Sequence, residues 1–188
     1  MNHITLENTR VELVPLTKDS FHHLFPIAQD MEMPYTPDPI HTKLDLENYI
    51  SKAIQDPNAI PFIIFDKLKQ RYAGSTRYYM ISKPHKRLAI GFTWLGKEFQ
   101  GTKLNQNIKY LMLEYAFETL NMERVEFFAD VLNKQSVKAM KKIGCTEEGI
   151  LRNHAQLRDR RRDTIVLSIL KEEWLKEIKN NLYTFIQS

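Results

Sequence analysis

Leu88-Ala89-Ile90-Gly91-Phe92-Thr93-Trp94 leads into Leu95-Gly96-Lys97-Glu98-Phe99-Gln100-Gly101-Thr102-Lys103 and then into the run from Leu104 to Leu120. In that order the stretch predicts a strand, a glycine-containing turn and a long helix. Leu104, Ile108, Leu111, Met112, Tyr115, Ala116 and Leu120 share one stripe at helical spacing, with Gln106, Lys109 and Glu114 expected off it. A strand entering a glycine turn at a helix start gathers backbone N–H groups and the positive end of the helix dipole at one place, which suits a phosphate. The same residues also read as nothing more than a tight turn made possible by Gly96 and Gly101.

Working outward, Thr9–Pro15 alternates apolar and polar positions and predicts a strand stopped by Pro15. Phe21, Leu24, Phe25, Ile27 and Ala28 give a short helix, and Leu44 to Ile54 a second, capped by Thr42 or Asp45 and ended by Pro57. Between them, Pro34, Pro37 and Pro39 rule out helix and leave a loop. Ile60–Phe65, Tyr72–Ile81 and Leu88–Trp94 then predict three strands in hairpin fashion. After the central helix, Val125, Phe127, Ala129 and Val131 alternate with Glu126, Phe128 and Asp130, an amphipathic strand with a solvated carboxylate at Glu126. A short helix over Asn133–Ile143, strands over Glu148–Gln156 and Thr164–Leu170, and a helix over Glu172–Phe185 complete the order β-α-α-β-β-β-α-β-α-β-β-α. The class is mixed α/β, a mostly antiparallel sheet with a central β-α-β unit and flanking helices.

Composition narrows the function. The 188 residues, 43% apolar and 27% charged, suit one domain spanning 1–188 with a full core. No apolar run spans a bilayer, and Met1-Asn2-His3 does not open a signal peptide. The single cysteine, Cys145, excludes an internal disulfide and fits a reducing cytoplasm. The +4 charge would suit an acidic partner such as ribosome or RNA, or equally an anionic cofactor. Without an interleaved aromatic and basic stripe, direct nucleic-acid binding is not expected.

The second informative stretch is Asn133-Lys134-Gln135-Ser136-Val137-Lys138-Ala139-Met140-Lys141-Lys142-Ile143-Gly144-Cys145. Local physics accounts for it: Asn133 caps the N–H of Ser136, Val137, Met140 and Ile143 are buried, and Gly144 supplies the left-handed position after the helix.

Taken together, the two stretches resemble the GNAT superfamily of N-acetyltransferases, in particular the branch of ribosomal-protein alanine and serine N-terminal acetyltransferases. The cofactor motif (Gln/Arg)-x-x-Gly-x-(Gly/Ala) falls on Glu98-Phe99-Gln100-Gly101-Thr102-Lys103, and the branch's later motif, the more specific, on Asn133 through Cys145. Glu147–Arg152, Arg162–Leu170, Thr9–Leu13 and Glu173-Trp174 extend the likeness over nearly the whole chain. The resemblance implies the GNAT fold and acetyl-CoA as co-substrate, with no metal. It implies that backbone amides of Gln100, Gly101, Thr102, Lys103 and Leu104 take the CoA pyrophosphate. Phe92, Thr93 and Trp94, at a bulge, would hold the pantetheine and polarise the acetyl carbonyl, and Asn133 would bond the pantetheine arm. Ser136 would protonate or stabilise the leaving thiolate.

Two departures accompany the resemblance. Lys103 stands where the family has Gly or Ala; since Ala is accepted, no positive φ is expected there. The glutamate that some members carry about nineteen residues after the serine is here Ala155, with His154 beside it as the candidate base. An α-amine of pKa about 7.8 is roughly 14% neutral at pH 7, against roughly 0.04% for a lysine near 10.4. A site with only His154, Glu126 or water as base therefore suits an α-amine, such as a protein N-terminus. The acceptor is a primary amine of ribosomal or other protein origin, and the chain a monomer or homodimer. The alternative is a non-catalytic CoA-binding or ribosome-binding protein on the same fold. Arg158–Asp163 reads as a solvated hairpin tip, Tyr35 and Tyr78-Tyr79 as packing or an acceptor pocket, His22-His23 as no metal site, and Cys145 as a buried hydrophobe.

Overall fold

The computed structural model describes residues 4–36 and 38–188; the Met1–His3 reading and the Pro37 part of the proline loop lie outside the described residues. Eight strands form one sheet: β1 (Leu6–Glu7), β2 (Val11–Pro15), β3 (Ile60–Asp66), β4 (Arg71–Ser82), β5 (Arg87–Leu95), β6 (Arg124–Asp130), β7 (Thr146–Leu157) and β8 (Arg160–Leu170). The sheet order is β1-β2-β3-β4-β5-β6-β8-β7, antiparallel at every step except β5–β6. The helices are α1 (Phe21–Ala28), α2 (Lys43–Gln55), α3 (Leu104–Glu114), α4 (Lys134–Lys142) and α5, which runs as Lys171–Glu173, a π-helical turn Trp174–Ile178 and Lys179–Gln187. None of them is long and apolar enough to cross a membrane. The sequence order is reproduced, with β1 added; two residues are too few to show a period.

Alternation along the strands divides the core between the two faces. Phe62 and Ile64 of β3 join α3, α4 and α5 in the larger core, whereas Ile63 joins α1 and α2 in the smaller. Helix α2 starts on a reciprocal cap: Thr42 Oγ1 accepts from the N–H of Asp45, and Asp45 Oδ2 accepts from the N–H of Thr42. Helix α3 ends in a second π turn, Tyr115–Thr119, placed against the one in α5. There Trp174 stacks on Phe117 at 5.9 Å between centroids, and its indole N–H donates to Glu118 at 2.9 Å. Each π turn widens the helix where it meets the other.

Three expectations are corrected. Strand β6 is buried on both sides because it lies inside the sheet, not at a rim: Glu126 is 8% exposed and Asp130 only 1%. Their carboxylates are matched by arginines, Glu126 by Arg87 and Arg124 at 2.9 Å each and Asp130 by Arg160 at 2.5 Å. The Arg158–Asp163 tip is not simply solvated, since Arg160 makes that ion pair and Arg158 donates to the Met33 carbonyl at 3.0 Å. That bond ties the β7–β8 hairpin to the loop between α1 and α2. Lys109, expected off the buried stripe, is 5% exposed.

Candidate active site

The site grows from a break in strand regularity. Strands β5 and β6 pair only through Arg87–Arg124, Leu88–Val125 and Ala89–Glu126. Beyond Ala89, β5 continues to Leu95 paired with β4 alone, and β6 continues to Asp130 paired with β8 alone. The two strands therefore part, leaving facing rows of backbone N–H and C=O groups. Just past the parting, the β4–β5 register advances by two residues on β4 (Ser75 to Arg77) and three on β5 (Trp94 to Gly91). This is a β-bulge at Phe92-Thr93, with Phe92 at φ +51°. The extra residue inverts the side-chain parity: Leu88 and Ile90 face α3 before it, Leu95 after it.

The two bulge residues consequently point to opposite faces. Thr93 Oγ1 meets Thr76 Oγ1 at 2.7 Å and accepts from Lys109 Nζ of α3 at 2.8 Å. Burial pushes Lys109 from the usual lysine range down to about 7. Phe92 lies on the α2 side. Tyr79 meets its ring edge-on at 5.0 Å, the Arg77 guanidinium sits 3.4 Å from its centroid, and the Tyr49 hydroxyl reaches its carbonyl at 3.3 Å. Trp94 turns into the α1–α2 core, its indole N–H buried without an acceptor among the described residues.

From β5 the chain enters a 3-10 turn, Lys97–Phe99, and then the start of α3. Gly101 (φ +73°) and Lys103 (φ +61°) both take left-handed backbone. For Lys103 this corrects the expectation: it is the residue before the helix, and its conformation reverses the chain into α3. Its ammonium is turned outward to Ser188 Oγ at 3.2 Å and to the Phe185 ring at 5.1 Å. Gln100 and Thr102 brace the turn by donating to the Leu95 and Phe99 carbonyls at 3.0 and 2.7 Å. The first helical bond is Asn107 N–H to the Lys103 carbonyl, so the N–H groups before it along the first turn are left to a ligand or to water.

Asn133 caps α4, its Oδ1 accepting from the N–H of Ser136 at 3.0 Å. Ser136 is half-buried in the first turn of that helix. His154 lies on β7 where that strand carries two residues beyond its register with β8, and its Nδ1 is 3.0 Å from Thr164 Oγ1. Arg162 Nε donates to the same hydroxyl at 3.0 Å. Among the described residues, no hydrogen bond joins Ser136 to His154. Cys145 is buried, which pushes its thiol up and leaves it a poor nucleophile. Tyr78 is core, its hydroxyl donating to the Met112 carbonyl at 2.6 Å.

Sequence reading missed Tyr49, Arg77 and Lys109. The signal for Lys109 is its company: Ile108 and Tyr110 through Leu113 are apolar or aromatic, so a helix so placed buries its one cation.

Comparison with known proteins places this architecture. Residues 10–146 match the acetyltransferase (GNAT) domain. The chain belongs to this family of N-acetyltransferases, acyltransferases that use acetyl-CoA as co-substrate. A Bacillus subtilis (strain 168) protein named as a ribosomal N-acetyltransferase, YdaF, is 31% identical over 101 residues. That alignment covers 54% of this chain and 55% of YdaF, so the chain spans about half of that relative's length. Spermidine N(1)-acetyltransferase of Escherichia coli (strain K12) is 21% identical, covering 94% of this chain and 95% of that one. The crystal structure of an acetyltransferase from T. thermophilus superposes with a TM-score of 0.89 at 28% identity, over 99% of this chain and 98% of that one.

Proposed function

We propose that residues 1–188 act as one acetyl-CoA-dependent N-acetyltransferase domain in the cytoplasm, as monomer or homodimer, passing acetyl directly to a primary amine, with a protein N-terminal α-amine as the acceptor. The observation that carries the reading is the parting of β5 and β6 beside the Phe92-Thr93 bulge, next to the N–H-rich start of α3.

These residues fit the co-substrate. Unpaired backbone groups on β5 suit the amides of a pantetheine arm, and a helix start with its N–H groups outward suits a pyrophosphate. Acetyl-CoA, when bound, supplies an acetyl thioester. Phe92, Thr93 and Trp94 would hold the arm and aim a backbone N–H at the acetyl carbonyl, where negative charge develops. Gln100, Gly101, Thr102, Lys103 and Leu104 would hold the pyrophosphate through the main chain. Lys103 does not obstruct this, because its side chain is engaged by the C-terminal helix. Asn133 would orient the arm, and Ser136 would give a proton or hydrogen bond to the departing sulfur, a modest task for a thiol of pKa about 8.5. His154 is the candidate base; its ring is exposed and fixed at one nitrogen by Thr164.

The test is calorimetric titration with acetyl-CoA of the natural protein and of Lys103→Gly. Micromolar binding by both is expected. Binding by the glycine variant alone would mean that Lys103 closes the site; binding by neither would sink the reading. The absence of a carboxylate at Ala155 favours one rival, a CoA-binding protein without catalysis. In that case Ser136→Ala would have no turnover to reduce.

A further inference from the structure

Arg77 lies in the middle of β4 on the face covered by α2, opposite Gly91 and next to the bulge. It is 7% exposed, yet it enters no ion pair among the described residues. Its Nε is fully buried without an acceptor, and its terminal nitrogens donate to no atom of the described residues. Burial pulls Arg77 below the usual arginine range, but a guanidinium keeps its charge at any physiological pH. The nearby carboxylates are committed elsewhere: Glu126 to Arg87 and Arg124, Asp130 to Arg160, and Asp56 to the N–H of Asn58 at 2.8 Å.

What Arg77 does have is aromatic flanking. Phe92 lies 3.4 Å and Tyr49 5.1 Å from the guanidinium carbon, measured to the ring centroids. Rings take up the faces of such a cation and leave its N–H edge, the part that binds a carboxylate through two parallel hydrogen bonds. Phe92 is also the bulge residue, so Arg77 stands beside the place assigned to the acetyl group. It is on the α2 side of the sheet, toward the hairpin contact between Arg158 and Met33, and away from α3.

We propose that Arg77 is the acceptor's counter-charge: the amine acetylated here belongs to a molecule with a carboxylate close to that amine, and Arg77 binds it. This rests on the acetyl-transfer reading above. The carboxylate comes either from the main chain of a free α-amino acid or from an acidic side chain at a peptide's N-terminus. A polyamine, cationic along its length, is the acceptor that Arg77 repels.

Acetyl transfer would be measured with glycine against glycinamide, with the C-terminally amidated peptide Asp-Ala-Ala against Asn-Ala-Ala, and with spermidine, using the natural protein, Arg77→Gln and Arg77→Lys. The natural protein is expected to prefer one or both carboxylate partners by about 10- to 100-fold in kcat/KM, as suits a charge-assisted hydrogen-bond pair. The preference should appear mainly in KM, collapse in Arg77→Gln and return only in part in Arg77→Lys. Preference in the glycine pair alone marks a free amino acid; in the peptide pair alone, an acidic N-terminus. No preference, one that survives in Arg77→Gln, a uniform fall in kcat for all amines, or faster transfer to spermidine would overturn the proposal.

Binding of N-acetylaspartate and of its uncharged diamide, followed by NMR, separates the two readings. Arg77-dependent binding of the carboxylate without any acetyl transfer would retain the anion site and remove the transferase. Transfer without carboxylate selectivity would do the reverse.

Discussion

Lys109 and Ser136 behave in opposite ways. Lys109 sits behind the bulge with Thr93 as its one hydrogen-bond partner among the described residues, and its pKa falls to about 7 in the fold. Below that pH, folding requires a charged lysine to be buried; between pH 7 and its ordinary 10.5, the unfolded chain binds a proton that the folded chain does not. Stability from this group therefore rises with pH across that window. Lys109→Met should melt above the natural protein at pH 6–7, with the gap closing toward pH 10 in thermal scans. If the gap is independent of pH, Lys109 does not titrate as argued. Ser136 has no such structural duty, since it is the Ser136 backbone N–H that Asn133 caps. Ser136→Ala should lower kcat about 10- to 100-fold with little change in the calorimetric Kd for acetyl-CoA. An equal loss in both would make the serine a binding residue only.

Among the elements, the start of α3 was legible down to its glycine, but not its backbone conformation. Lys103 has no side-chain feature that announces φ +61°; the need for it comes from where the chain must turn after Phe99. A left-handed lysine costs about 1 kcal/mol relative to glycine. Lys103→Gly should therefore raise the melting temperature by about 2–4 °C, less whatever the lost Ser188 and Phe185 contacts contributed. Glu148 makes a second case. Hydrogen bonds from Arg124 hold its carboxyl down at about 2, joining β6 to β7 across β8. That stabilisation is complete above the ordinary value of 4.5 and fades as pH falls from there toward 2. Glu148→Gln should flatten the acid limb of a stability–pH curve in that interval, by an amount that added salt reduces because the pair is partly exposed.

For the molecule taken together, element order and fold class followed from periodicity and capping, because those are local properties. Which strand would lie inside the sheet did not. Alternation made β6 look one-sided, whereas the register with β5 and β8 buries it twice over and obliges Glu126 and Asp130 to find arginines distant in sequence. Arg77 escaped notice for the same reason: a cation in a strand reads as solvated until a helix from elsewhere covers it. Direct transfer also makes a kinetic demand. With Cys145 buried and its thiol pushed up, initial-rate patterns should be sequential, and Cys145→Ala should keep its turnover within about twofold, as befits a small core substitution. Ping-pong kinetics would refute both statements.

The parting of β5 and β6 has one more consequence. Unsatisfied sheet edges normally sit at a protein's perimeter, where another chain can lay a strand against them and begin to aggregate. Here two such edges, beyond Ala89 and beyond Glu126, face each other within the eight-stranded sheet. Each is guarded from lateral approach by the other, so a slender linear molecule entering end-on can reach them and a neighbouring sheet cannot. The fold thus keeps recruitable backbone available to a small guest without becoming adhesive to its own kind.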